Sequence, residues 1–159
     1  MTPLEPLRRS RYVILTTYRR DGRAVPTILG CAVDECAQVC MLTRPGSGKV
    51  KRIANNAAVV ITPCDGQGRP KGLGTTGTAR ALTPDETARV RRLLSRRHPA
   101  ARLALLADRL RPPGKRWTGI AVTVLVPARW EGDRETSDSN SDYDPGFQQT
   151  QSDAIRLRM

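Results

Sequence analysis

Six runs of β-branched and apolar residues divide the chain, and turn residues separate most of them. Tyr12 to Tyr18 predicts a first strand. Arg20-Asp21-Gly22-Arg23 is a hairpin signal, and Ala24 to Ala32 returns as a second strand. Pro26 within it has no N–H for a ladder, so it predicts an edge position or a gap in pairing. Val33-Asp34-Glu35 turns the chain into a third strand, Ala37 to Thr43. Ala57 to Thr62 is a fourth, apolar at nearly every position. A long turn, Asp65 to Pro70, precedes a fifth, Thr75 to Leu82. Trp117 to Val126 alternates poorly and predicts a buried last strand.

Helical periodicity fills the intervals. Leu4 to Ser10 predicts a short N-terminal helix. Lys49 to Asn55 predicts another, with Val50, Ile53 and Ala54 inward and three cations outward. Thr83-Pro84-Asp85-Glu86 opens a longer one: threonine at the N-cap, proline in the first turn and glutamate completing a capping box. Its inner stripe is Val90, Leu93 and Leu94, and Pro99 ends it. Ala101 to Leu110 is apolar and helical, closed by Pro112-Pro113-Gly114. Hairpin-linked strands with these insertions predict a mainly β fold, a six-stranded antiparallel barrel with helical additions.

At 159 residues the chain is long enough for one domain with a real core. Residues 1–130 are read as that domain. Residues 131–159 hold seven acidic and three basic residues and few apolar ones, and are expected to be a disordered acidic tail. The whole chain carries +12 and this segment −4, which leaves +16 on the first 130 residues. Such a body attracts polyanions. Arginines 89, 91, 92, 96 and 97 read as a solvated helix face in preference to a surface that binds an acidic chain. The opening residues lack the apolar stretch of a signal peptide, and no run reaches the roughly 18 apolar residues of a membrane helix. A cytoplasmic protein without a membrane partner is expected.

Cys31, Cys36, Cys40 and Cys64 form no Cys-x-x-Cys pair, and the single histidine, His98, is remote in sequence. No metal site is expected from this spacing. His98 has no evident orienting carboxylate, so no nucleophile arrangement stands out.

The strongest chemical signal is Thr43-Arg44-Pro45-Gly46-Ser47-Gly48-Lys49-Val50-Lys51-Arg52-Ile53. A strand runs into a glycine-bearing turn, Ser47 stands at a helix N-cap, and cations follow. Free backbone N–H groups, the positive end of a helix dipole and Lys49, Lys51 and Arg52 converge on one place, which suits a phosphate. A solvated basic helix is the competing reading. Val50 follows the lysine where a nucleotide-binding P-loop needs Ser or Thr, so a metal-bound triphosphate is not implied.

Three stretches, Leu7-Arg8-Arg9-Ser10-Arg11-Tyr12, Thr16 to Thr27 and Gly46 to Ile53, followed by Thr62-Pro63-Cys64-Asp65-Gly66-Gln67-Gly68-Arg69-Pro70, stand in a recognisable order. Together they span most of residues 7–126. In this order the chain resembles the split β-barrel of the pyridoxamine 5′-phosphate oxidase-like flavin and deazaflavin oxidoreductases, and more narrowly the deazaflavin (coenzyme F420)-dependent branch. The resemblance implies that Val25, Pro26 and Thr27 line the cofactor ring. It places the ribityl chain and phosphate on Leu42, Thr43 and the turn with Ser47 and Gly48, and the phosphate on Lys49 with Lys51 or Arg52. It also implies a homodimer, and a hydride transfer between reduced F420 and a small organic substrate that the sequence does not identify. Ile28-Leu29-Gly30-Cys31 departs from the bulky aromatic pair common near the ring, and Gly48-Lys49 from the Arg-Lys of flavin oxidases.

Two other readings stay open: an FMN-binding oxidoreductase or flavin carrier of the same fold, and a basic nucleic-acid-binding module. Against the last, Tyr12, Tyr18, Trp117 and Trp130 are not interleaved with the cations as a stacking platform would be.

Overall fold

The computed structural model describes residues 2–125. The expected acidic tail, and the last few residues of the domain as drawn to position 130, lie outside them. The elements are α1 (Leu4–Arg9), β1 (Tyr12–Tyr18), β2 (Ala24–Val33), β3 (Gln38–Thr43), α2 (Gly48–Asn55), β4 (Ala58–Cys64), β5 (Thr75–Ala81), α3 (Pro84–Arg97), α4 (Arg102–Asp108) and β6 (Thr118–Val124). The strands close into a barrel in the order β1-β2-β3-β6-β5-β4, and every pairing is antiparallel.

Alternation along each strand decides what faces inward. Val13 and Leu15 of β1, Val39 and Met41 of β3, Val59 and Ile61 of β4, and Ile120 and Val122 of β6 fill the interior. Leu7 of α1 and Ile53 of α2 join the same cluster from the adjoining helices. On the outside, Ala32, Cys40, Leu42 and Ala121 receive Val90 and Leu94 of α3 and Leu105 of α4. The low aromatic content therefore yields two aliphatic layers that share one sheet wall.

Pro26 sits where its missing N–H costs least. Residues 24–30 of β2 pair with β1, whereas only Cys31–Val33 pair with β3. Pro63 is placed the same way: β1 pairs with β4 through Cys64, while β5 reaches only as far as Ile61. That one-sided pairing is why β4 runs two residues beyond its expected end. The helix expected over 101–110 is shorter. Pro99–Ala101 makes a single 3-10 turn, and α4 stops at Asp108, whose carbonyl takes the N–H of Arg111 in a turn. Of its leucines only Leu105 is buried; Leu103, Leu106 and Leu110 are exposed.

Candidate functional site

The basic segment folds as its residue order requires. β3 delivers Thr43 to the rim of the barrel, and Gly46 takes a left-handed φ of 67° that favours glycine. Ser47 then occupies the N-cap position of α2 in an extended conformation, but its side chain caps no N–H. The first turn of α2 holds no acidic residue. Among the described residues, the N-terminal N–H groups of α2 thus have neither a serine cap nor a carboxylate of their own first turn.

Lys49 and Arg52 lie on the barrel side of this helix. The Lys49 ammonium donates to the Thr43 hydroxyl at 3.0 Å, and that hydroxyl is 3.4 Å from the Ser47 hydroxyl. Arg52 Nε donates to Thr17 Oγ1 at 2.7 Å. Thr17 is fully buried, and its own hydroxyl points at the Val25 carbonyl, 3.5 Å away. A short polar chain therefore links the β2 rim to the cations of α2. A Cβ on Gly48 would stand 2.7 Å from Arg52 Nη1, so a side chain there would displace the guanidinium end. Burial holds the Lys49 ammonium below its usual range, and the neighbouring Arg52 and Arg44 charges push it the same way. Thr43 and Thr17 thus hold Lys49 and Arg52 at the same rim, and the Thr43 hydroxyl that receives the Lys49 ammonium is a neutral acceptor. A phosphate has the charge and the lone pairs this donor set lacks.

The other expected residues divide. Val25, Pro26 and Thr27 pair with Thr17, Thr16 and Leu15 and are half-buried, on the part of β2 with a single neighbouring strand. Lys51 is exposed, unlike the half-buried Lys49 and Arg52. Leu42 faces the opposite side of the sheet from Thr43, in the apolar cluster beneath α3. Its side chain therefore does not face the Thr43 rim. Thr17 was not among the expected residues. Its signal is a threonine in step with Val13 and Leu15, the inward apolar positions of β1.

His98 takes a structural place. It ends α3, its ring meets Tyr12 edge-on with centroids 5.6 Å apart, and a ring nitrogen lies 3.3 Å from the Cys31 carbonyl. Among the described residues no group of three or more His, Cys, Asp or Glu side chains gathers as a metal site would require. No helix there is long and apolar enough to cross a membrane.

The family model for pyridoxamine 5′-phosphate oxidase matches residues 4–125. No curated protein matches the chain in sequence. Solved structures share the fold at low identity. The conserved hypothetical protein Rv2991 from Mycobacterium tuberculosis aligns with a TM-score of 0.60 at 19% identity, over 78% of this chain and 81% of that one. A protein described as an F420 reductase aligns with a TM-score of 0.55 at 21% identity, over 77% and 93%. HutZ, a heme storage protein from Vibrio cholerae, aligns with a TM-score of 0.58 at 13% identity, over 79% and 92%.

Proposed function

Because the chain belongs to the pyridoxamine 5′-phosphate oxidase family, we propose that it is an oxidoreductase that binds coenzyme F420. In this reading it passes a hydride between the reduced deazaflavin and a small organic substrate, as a cytoplasmic homodimer. The observation that carries the reading is the pair Lys49 and Arg52, fixed on Thr43 and Thr17 beside an uncapped helix start. When bound, the coenzyme supplies the hydride from its ring carbon. The chain's own residues bind, orient and exclude water. Lys49, Arg52, Ser47 and the N–H groups of Gly48 and Lys49 hold the phosphate. Thr17 and Thr43 keep the two cations aimed at it. The half-buried strand Val25–Thr27 offers an apolar wall to the ring. Two things favour the deazaflavin over FMN: a body of +16, more than one phosphate requires, and the kinship in fold with an F420 reductase.

The test is a calorimetric titration of F420 and of FMN into wild type and Lys49→Ala. F420 is expected to bind wild type, more weakly at high salt, since exposed charges are screened over roughly 10 Å at 0.1 M. The variant is expected to lose about 1.5–3 kcal/mol, the range for a charged hydrogen bond. Protein that purifies yellow with tightly held FMN and has no affinity for F420 overturns the reading in favour of a flavin enzyme.

A further inference from the structure

On the far side of the sheet wall from the barrel interior, α3, α4 and residues 109–118 enclose two adjoining cavities. One has a volume of about 570 Å3 and the other about 620 Å3, and both are lined by Ala88, Arg91 and Arg109. They form one elongated cleft. Arg91, Arg92 and Arg96 of α3 and Arg102 and Arg109 across from them line the first half. Arg116 and Trp117 line the second, with Pro84 and Pro113.

The charge of this cleft is not balanced within the fold. Asp108, buried behind it, is matched by Arg91 at 2.8 Å. Among the described residues, Arg92, Arg96, Arg102 and Arg109 have no carboxylate within salt-bridge distance. Asp85 alone among the lining residues is acidic. Hydrogen bonding is lopsided in the same sense: Arg91 Nε and Trp117 Nε1 are buried donors with no acceptor among the described residues. A convex basic helix sheds such charge into water. Here arginines from three segments line one concave space together with Ala88 and Leu105, so their positive potentials add there. Guanidinium forks match carboxylate and phosphate oxygens two at a time.

We propose that this cleft is a second anion site, separate from the Lys49 turn. It would take an elongated small ligand with several oxyanions along a flexible chain, with a flat or apolar part against Trp117. The assignment holds whichever cofactor the Lys49 turn binds.

Tetraglutamate, tripolyphosphate and tetraglutamine are the probes, titrated calorimetrically at low salt into wild type, Lys49→Ala and Arg96→Ala/Arg102→Ala. Wild type and Lys49→Ala should bind at least one anionic probe equally well, with a rise in melting temperature, and tetraglutamine should not bind. The double variant should lose about ten-fold or more in affinity. Both replaced side chains are exposed, so its melting temperature without ligand should equal or exceed that of wild type. Arg96→Gln/Arg102→Gln repeats the test with more of the side-chain bulk kept. Selectivity for tetraglutamate assigns a carboxylate chain; selectivity for tripolyphosphate assigns a phosphate chain. No anionic probe bound by wild type, unchanged binding in both double variants, or loss of binding in Lys49→Ala would overturn the proposal. So would a short single-stranded oligonucleotide that outcompetes both probes, since the surface would then serve nucleic acid.

Discussion

Two charged residues, one buried and one half-buried, behave in opposite ways. Asp108 is 1% exposed and accepts from Arg91 and from the backbone N–H of Trp117. It ties α3, α4 and the start of β6 at one point. Asp108→Ala removes every acceptor at once and leaves a guanidinium largely out of water. Urea unfolding should show a loss of about 3–5 kcal/mol. Removing Arg91 as well should recover part of that loss, and fully additive losses would show that the pair is not coupled. Lys49 carries the reverse imbalance, a cation with no carboxylate within salt-bridge distance among the described residues. With its pKa lowered, it gives up its proton more readily folded than unfolded, so its charge destabilises the fold at neutral pH and less so as pH rises. A bound phosphate restores the proton. Anion affinity at the turn should therefore be flat near neutrality and fall as pH rises through the Lys49 pKa. In Lys49→Ala that alkaline limb should vanish from the titration.

At the scale of elements, the start of α3 shows how much the residue order already states. Thr83 accepts from the N–H of Glu86, and the Glu86 carboxylate accepts from the N–H of Thr83, with Pro84 in the first turn. This reciprocal cap is local, so it was legible in four residues. Thr83→Ala should cost about 1 kcal/mol, measured by denaturant unfolding with an unchanged m-value. A loss near zero would mean that packing of Val90 and Leu94 alone sets the helix start. The strands were legible for a similar reason, because alternation and turn residues act over a few positions. The ends of β4 and α4 were less so, since they depend on which strand or turn lies alongside. The candidate site divides along the same line. Gly46, Ser47 and Lys49 announce themselves within one segment. The Thr17–Arg52 bond joins residues 35 apart in sequence, and which face Leu42 presents is decided by register. The arginines of α3 read as a solvated helix face, and Arg89, Arg92 and Arg96 are indeed exposed; that Arg102 and Arg109 line the same cleft is decided by the fold.

At the scale of the whole molecule, the cysteines report on closure of the barrel. Cys31 and Cys64 lie near α1, Cys40 lies under α3, and all three are buried, while Cys36 is exposed on the turn after β2. Burial pushes the thiols of Cys31 and Cys40 up to about 12 and that of Cys64 to about 11, from an ordinary value of 9.0. These are acids whose folded pKa is raised. Their contribution to stability is fully present below pH 9 and is lost as pH rises toward 11–12, because the unfolded chain releases protons that the folded one keeps. Each thiol contributes a slope of about 1.4 kcal/mol per pH unit across that window. Lys49 acts in the opposite direction but is one group against three, so the balance falls with pH. Stability measured by denaturant should decline above pH 9, and replacing Cys31 and Cys64 by alanine and Cys40 by serine should flatten that decline while lowering stability at pH 7. Disulfide-exchange labelling of native protein should modify one thiol per chain quickly, and the other three only at the rate of unfolding. Two or more fast thiols would mean that α1 or α3 opens without global unfolding, and that the barrel is closed on average but not as a cooperative unit.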